Sequence, residues 1–483
     1  MRFLDTFQGK ALGAAAVMIV SGLVIVAAAT LTRNEPEPIP AAEGDQAIAG
    51  KCMTCHKEAS PGIYQQWRHS PHGEHGVTCL DCHQADKNDK DAFAHEGATI
   101  ATLVTPKDCS RCHEKEAEQV ARSYHATAGK ILESQDAYLA HAAGGDPVAQ
   151  AGCETCHGTK IEIDESAPNK LSLETWPNSG IGRINPDGSL GSCTACHNRH
   201  SFDKKQARSP DACSKCHVGP DHPQKEVYET SKHGQAFFTH EEDMNLASDR
   251  WVVGVDYYEA PTCATCHMSA TRKQGVTHDV GERISWTLRP PVSKHKDDWG
   301  QKRDAMKEVC SACHASTQVD GHYRVFDGVV NLYNEKYAKP AGAVMALVKK
   351  KGLLKNQAAF SNDIEWSYWE LWHHEGRRAR HGASMMSPDY AWWNGIYEVA
   401  KNFYFEFLPA ARELNDPEVN ALIDEIMKDP MHAWFNRPTE QLQKDIREGK
   451  LQQVYAAQFE EDFAGPRGKT KPGKQADPAK PKY

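Results

Sequence analysis

The sequence has no cysteine to spare. All 16 cysteines of the 483-residue chain fall in Cys-x-x-Cys-His units, two per unit, and none is left over. Apolar residues are also scarce. A hydrophobic content of 40% and a mean hydropathy of -0.64 are low for so long a chain, although its length alone would suggest about three domains. Surplus positive charge is missing as well. A net charge of -9, with basic residues spread rather than clustered apart from the C-terminal tail, excludes nucleic acid and an acidic membrane surface as partners.

What is present is one pattern repeated eight times. The first thiols are Cys52, Cys79, Cys109, Cys153, Cys193, Cys213, Cys263 and Cys310, and the second are Cys55, Cys82, Cys112, Cys156, Cys196, Cys216, Cys266 and Cys313. The closing histidines are His56, His83, His113, His157, His197, His217, His267 and His314. This is the attachment signature of c-type haem, in which two thiols form thioethers to the porphyrin and the histidine becomes the proximal iron ligand. Zinc knuckles and disulfides are the alternatives, but neither requires a fixed histidine after every second cysteine. Eight covalently bound, buried macrocycles then supply the interior that the composition lacks, and the iron sites become part of the fold.

The chain opens with Arg2 and Lys10, an uncharged apolar run over residues 11–31, then Arg33. Twenty-one residues suffice to cross a bilayer, which needs about 20. Positive charge on the leading side puts that end in the cytoplasm and the motifs on the periplasmic side of the cytoplasmic membrane. Cleavage after Ala29, in an A-x-A pattern with Ala27, is the alternative and would leave a soluble periplasmic protein. The expected organisation is an anchor or signal over 1–33 and a linker over 34–50 with Pro36, Pro38 and Pro40. An octahaem domain over 51–326, a haem-free helical domain over 327–463 and a disordered tail over 464–483 follow. The fold class is mainly α, with short helices and loops wrapped around cofactors.

An iron that only carries electrons needs a second axial ligand. Of 25 histidines eight are proximal, and from the rest His72, His75, His125, His141, His200, His233 and His278 are the candidate distal ligands. Beyond the motifs, residues 340–354 carry Val344, Leu347 and Val348 at helical spacing, and Asn362 with Glu365 forms a capping box for the next helix. Residues 388–414 read as one long helix. Trp393, Ile396, Ala400, Phe403 and Phe407 form an apolar stripe, while Tyr390, Tyr397 and Tyr404 recur every seven residues on another face.

WPNSGIGRINPDGSLGSCTACHNRH (176–200), CHVGPDHPQKEVYETSKHG (216–234) and HHEGRRARHGASMMSPDYAWWNGIYE (373–398) resemble the octahaem hydroxylamine oxidoreductase family, over residue 52 to about 410. The resemblance implies that Cys153, Cys156 and His157 hold the catalytic haem, whose iron lacks a protein distal ligand, while the other seven are bis-histidine carriers. It further implies an Asp-His pair in the pocket, here Asp221 and His222, and a pocket tyrosine, here Tyr323. Read without it, residues 219–223 are a turn and His222 a distal ligand. In oxidising members a tyrosine of one subunit bonds the catalytic haem of its neighbour in a trimer. Tyr397 and then Tyr390 are the residues for that role, although WWNG stands where a histidine is expected before the glycine. The implied activity is oxidation of hydroxylamine or another small N-oxide to nitric oxide or nitrite. Protons leave through His222 and Asp221, and electrons leave for a c-type cytochrome or a membrane quinone-linked tetrahaem cytochrome. The alternatives are nitrite or hydroxylamine reduction at the same site and a pure electron conduit.

Overall fold

The computed structural model describes residues 43–459, residue 357 apart. The expected anchor, the start of the linker and the expected disordered tail lie outside the described residues. Among the described residues no helix is long and apolar enough to cross a membrane.

The chain divides into two compact units, one ending at Ala59 and the other beginning at Ser60. The described part of the first is the helix Glu43–Ala59, which carries the first Cys-x-x-Cys-His unit. It takes in residues 43–50, which were expected to be linker. The linker's prolines stop at Pro40, and no proline in residues 43–59 interrupts helical hydrogen bonding.

In the second unit short helices and loops alternate. The regular strands among the described residues are two antiparallel pairs, Phe93–His95 with Ala98–Ile100 and Trp286–Thr287 with Lys294–His295. Two motifs form a single helical turn, Cys79–His83 and Cys263–His267. A turn of helix sets residues i, i+3 and i+4 on one face, so both thiols and the imidazole share a side. Each turn opens on a capping box. Thr78 N donates to Asp81 Oδ2 at 2.7 Å, and Thr262 N donates to Thr265 Oγ1 at 2.9 Å.

After the eighth motif the chain becomes predominantly helical. The helix Ser316–Tyr333 runs through the boundary expected at 326–327. Its first half packs Val319, Tyr323 and Phe326 against Trp286, and its end puts Tyr333 into the C-terminal core. Lys339–Lys350 buries Val344 and Val348 as the spacing predicts, and Asn362 and Glu365 form their capping box.

Residues 388–414 are not one regular helix. π-helical turns at Trp392–Tyr397 and Phe403–Phe407 interrupt it, and Gly395 (φ -131°, ψ -107°) leaves helical geometry altogether. Each wider turn shifts the residues after it around the axis, so the seven-residue tyrosine face does not survive. Tyr404 is buried and its hydroxyl lies 2.7 Å from His432 Nδ1, whereas Tyr397 is 42% exposed. The apolar stripe holds for Phe403 and Phe407, both fully buried, but Trp393 is 58% exposed. Phe403→Ala should therefore destabilise the C-terminal core by about 3–5 kcal/mol, read as a lower urea midpoint with the haem content unchanged.

Candidate active site

Two imidazoles on one metal, each with a metal–nitrogen bond of about 2 Å and about 1 Å more to its ring centre, stand about 6 Å apart. Five motif histidines face another imidazole at this separation. His113 faces His72 at 6.1 Å and His83 faces His200 at 6.3 Å. His197 faces His278 at 6.4 Å, His314 faces His233 at 6.0 Å and His217 faces His125 at 6.1 Å. The residues present thus fit an iron held between paired histidines. Two candidates are placed differently. His141 Nδ1 lies 3.0 Å from Asp146 Oδ1, and the exposed His75 ring donates to the Pro71 carbonyl at 2.7 Å.

The motifs also meet one another, in an order unlike that of the sequence. Thiols stand here where thioether sulfurs would be. Cys109 is within hydrogen-bonding reach of Cys193, Cys213 of Cys263 and Cys216 of Cys156. Cys196 lies beside Cys213 and Cys266 beside Cys310. The third motif thus adjoins the fifth, the fifth the sixth, the sixth the seventh and the seventh the eighth, and the fourth adjoins the sixth.

At the fourth motif, residues 180–184 run along the Cys-x-x-Cys-His unit. Ile181 N donates to Cys156 O and Gly182 N to His157 O, both at 3.0 Å. A Cβ on Gly180 would come within 2.0 Å of Gly158 N, so only glycine allows this approach. The fully buried Arg183 anchors the segment, with Nε donating to Asn185 Oδ1 at 2.7 Å and Nη2 to Val104 O at 3.1 Å.

His222 faces His157, with ring centres 6.5 Å apart and planes 17° from parallel, and it is 6.1 Å from the His217 ring. Its Nδ1 lies 2.7 Å from Asp221 Oδ1. The second oxygen of Asp221 accepts from Arg377 Nη1 at 3.0 Å. Arg377 is itself fixed, with Nε donating to Arg289 O at 2.9 Å and its guanidinium over the Trp372 ring at 5.2 Å. Burial alone would raise the Asp221 carboxyl. Its close approach to His222 Nδ1 and the positive charge of Arg377 outweigh that and hold it well below the usual carboxylate range.

Three residues of this neighbourhood were not singled out from the sequence. Arg377 and His381 stand one turn apart on the helix Gly376–Ser384, and Gln224 reaches His381. The spacing of RRARH was the available signal, since residues i and i+4 share a helix face. Burial, then Arg380 and Arg377, pull the His381 imidazole down to about 3.

Tyr323 is buried beneath the Arg303 guanidinium at 4.6 Å, and Arg303 pairs with Asp327 at 2.6 and 2.7 Å. Lys307 also lies over the ring at 5.4 Å, and the nearby motif cysteines are Cys266 of the seventh and Cys310 of the eighth; the structure does not bring Tyr323 to His222. Tyr390 is half-buried against Gly382, with Glu226 among its charged neighbours. Tyr397 packs with Trp393 at 5.4 Å and Trp392 at 6.2 Å in an exposed aromatic group.

Residues 187–361 match the family described as "Seven times multi-haem cytochrome CxxCH", and residues 108–178 match "Cytochrome c554 and c-prime". A "Probable nitrite reductase-hydroxylamine oxidoreductase fusion protein" of Kuenenia stuttgartiensis is 26% identical and covers 55% of this chain. The chain spans about a third of that curated relative's length, 34%. Among solved structures, a "Hypothetical multiheme protein" aligns with a TM-score of 0.65 at 24% identity, over 80% of this chain and 99% of its own. A chain of a Kuenenia stuttgartiensis reducing HAO-like protein complex aligns with a TM-score of 0.56 at 19% identity, over 79% of this chain and 88% of its own. The motifs, the facing imidazoles and these likenesses agree: the chain has the mainly helical fold of a multihaem cytochrome c, with haem c bound covalently through its Cys-x-x-Cys-His units.

Proposed function

We propose that the fourth motif is a reaction site for a small nitrogen oxide, and that the reaction is oxidation of hydroxylamine to nitric oxide or nitrite. The observation that carries this is the chain Arg377–Asp221–His222 drawn up opposite His157. Haem bound at Cys153 and Cys156 would supply the iron for the nitrogen ligand and a path for its electrons. The side chains do the rest. Asp221, kept ionised by Arg377, orients the His222 ring through Nδ1 and leaves the other ring nitrogen to take protons from the substrate. The sixth motif, against which the fourth lies, is the nearest exit for electrons. In reduction of nitrite or hydroxylamine the same pair delivers protons, and the curated relative's name contains both activities.

A second reading rests on the same distance. The 6.5 Å separation of His157 and His222 is close to that of the other five pairs, which favours His222 as a distal ligand in a pure electron conduit. His222→Leu separates the two. Reaction-site chemistry predicts a turnover loss of about 10²- to 10⁴-fold with every haem still attached and no change in the number of six-coordinate irons. A conduit predicts one more five-coordinate iron in the resonance Raman spectrum of the variant, and an all six-coordinate wild type.

Arg377→Met tests the proton path by pH. Arg377 and His222 depress the Asp221 carboxyl, so the carboxylate persists as pH falls below the usual range; without Arg377, burial and the lost charge both raise it. The acidic limb of the kcat/KM profile should therefore move to higher pH in the variant.

The assembly proposed is a homotrimer on the periplasmic side of the membrane, passing electrons to a c-type cytochrome or a quinone-linked tetrahaem cytochrome, with eight haems per chain. Trp392, Trp393 and Tyr397, respectively 51%, 58% and 42% exposed, offer an aromatic surface for the neighbouring subunit. In the oxidising form Tyr397 bonds the fourth haem of that neighbour. Intact-mass measurement should then find covalently joined chains, separable in Tyr397→Phe, while single chains in the wild type would point to the reductive direction.

A further inference from the structure

We propose that Gln224 is a positioning residue for His217, the proximal histidine of the sixth motif, and that it tunes the reduction potential of the haem bound there. The inference depends on haem attachment at Cys213 and Cys216, not on the substrate assigned to the fourth motif.

The proximal histidines differ in what their Nδ1 meets. His83 donates to the Ala101 carbonyl at 2.8 Å and His267 to the Val280 carbonyl at 3.1 Å. Both acceptors are backbone, fixed by the fold itself. His217 Nδ1 instead lies 3.3 Å from Oε1 of the Gln224 side chain. A hydrogen bond donated from Nδ1 increases the electron density of the ligating ring, which favours the ferric state and lowers the potential. At His217 that effect depends on which way a side-chain amide points.

The amide is held by a second contact. Gln224 Nε2 is 3.3 Å from His381 Nε2, and His381 is almost wholly buried on the helix Gly376–Ser384. With the His381 ring accepting from the amide nitrogen, Oε1 is left for His217. Arg377, one turn earlier on the same helix, holds Asp221. One helix face therefore grips residues 221 and 224 together, setting the carboxylate beside the fourth motif and the acceptor beneath the sixth. Because Cys156 and Cys216 adjoin, the tuned haem is the first neighbour of the fourth.

The test is a potentiometric titration of the holoprotein, followed by visible and electron paramagnetic resonance spectra. Gln224→Leu removes the acceptor and should shift one midpoint to more positive potential. Gln224→Glu places a charged acceptor on the same ring and should shift one midpoint to more negative potential. The remaining midpoints should stay where they are in both. A purely structural role would not give shifts of opposite sign. Coincidence of both variants with the wild type, or a shift of the same sign in both, overturns the proposal. Should Gln224→Leu load fewer haems by intact mass, Gln224→Glu decides alone: a negative shift supports the proposal, and no shift or a positive one overturns it.

Discussion

A metal between two imidazoles fixes a distance, and this chain is arranged to meet that distance again and again. Six pairs of imidazole rings stand 6.0–6.4 Å apart, and several join segments far apart in the sequence, such as His83 with His200 and His197 with His278. With iron bound between them, such a pair would tie one short helix or loop to another. A chain so poor in apolar residues has little else to hold its first two thirds together, which is why the largest purely hydrophobic cluster lies beyond the last motif. The cofactors and the C-terminal helices are two different solutions to burying an interior, and the helix Ser316–Tyr333 belongs to both.

How much of this could be read from the sequence depends on how local each feature is. Haem attachment uses five consecutive residues, so all eight motifs are visible at once. Spare histidines crowd around the motifs in the sequence, but which imidazole faces which depends on how the loops pack together. At His141 and His75 the structure shows what Nδ1 meets, a nearby carboxylate and a carbonyl of its own turn. Arg377, His381 and Gln224 were hidden for the opposite reason. Arg377 lies 156 positions from Asp221 and His381 157 from Gln224, and only the docking of one helix brings them together.

The C-terminal misreading has a different cause. Counting by sevens assumes an uninterrupted helix, and two π-helical turns between residues 392 and 407 break the count. Gly395 permits the first, and its neighbour Trp393 is turned outward as a result. The boundary expected at 326–327 falls inside the helix Ser316–Tyr333, where composition changes without a break in the chain path. The residues do change character there, but they do so along one side of a continuous helix.

The capping boxes at Thr78 and Thr262 bear on how the protein is made. A single helical turn is unstable by itself, and a good cap contributes about 1 kcal/mol toward holding it. At Cys79–His83 and Cys263–His267 the cap lies within the motif's own stretch of chain, so both thiols and the histidine can be displayed on one side without help from distant segments. Thioether formation there does not have to wait for the rest of the polypeptide. At these two motifs attachment and folding become separable in time, since the display of the thiols does not depend on distant segments.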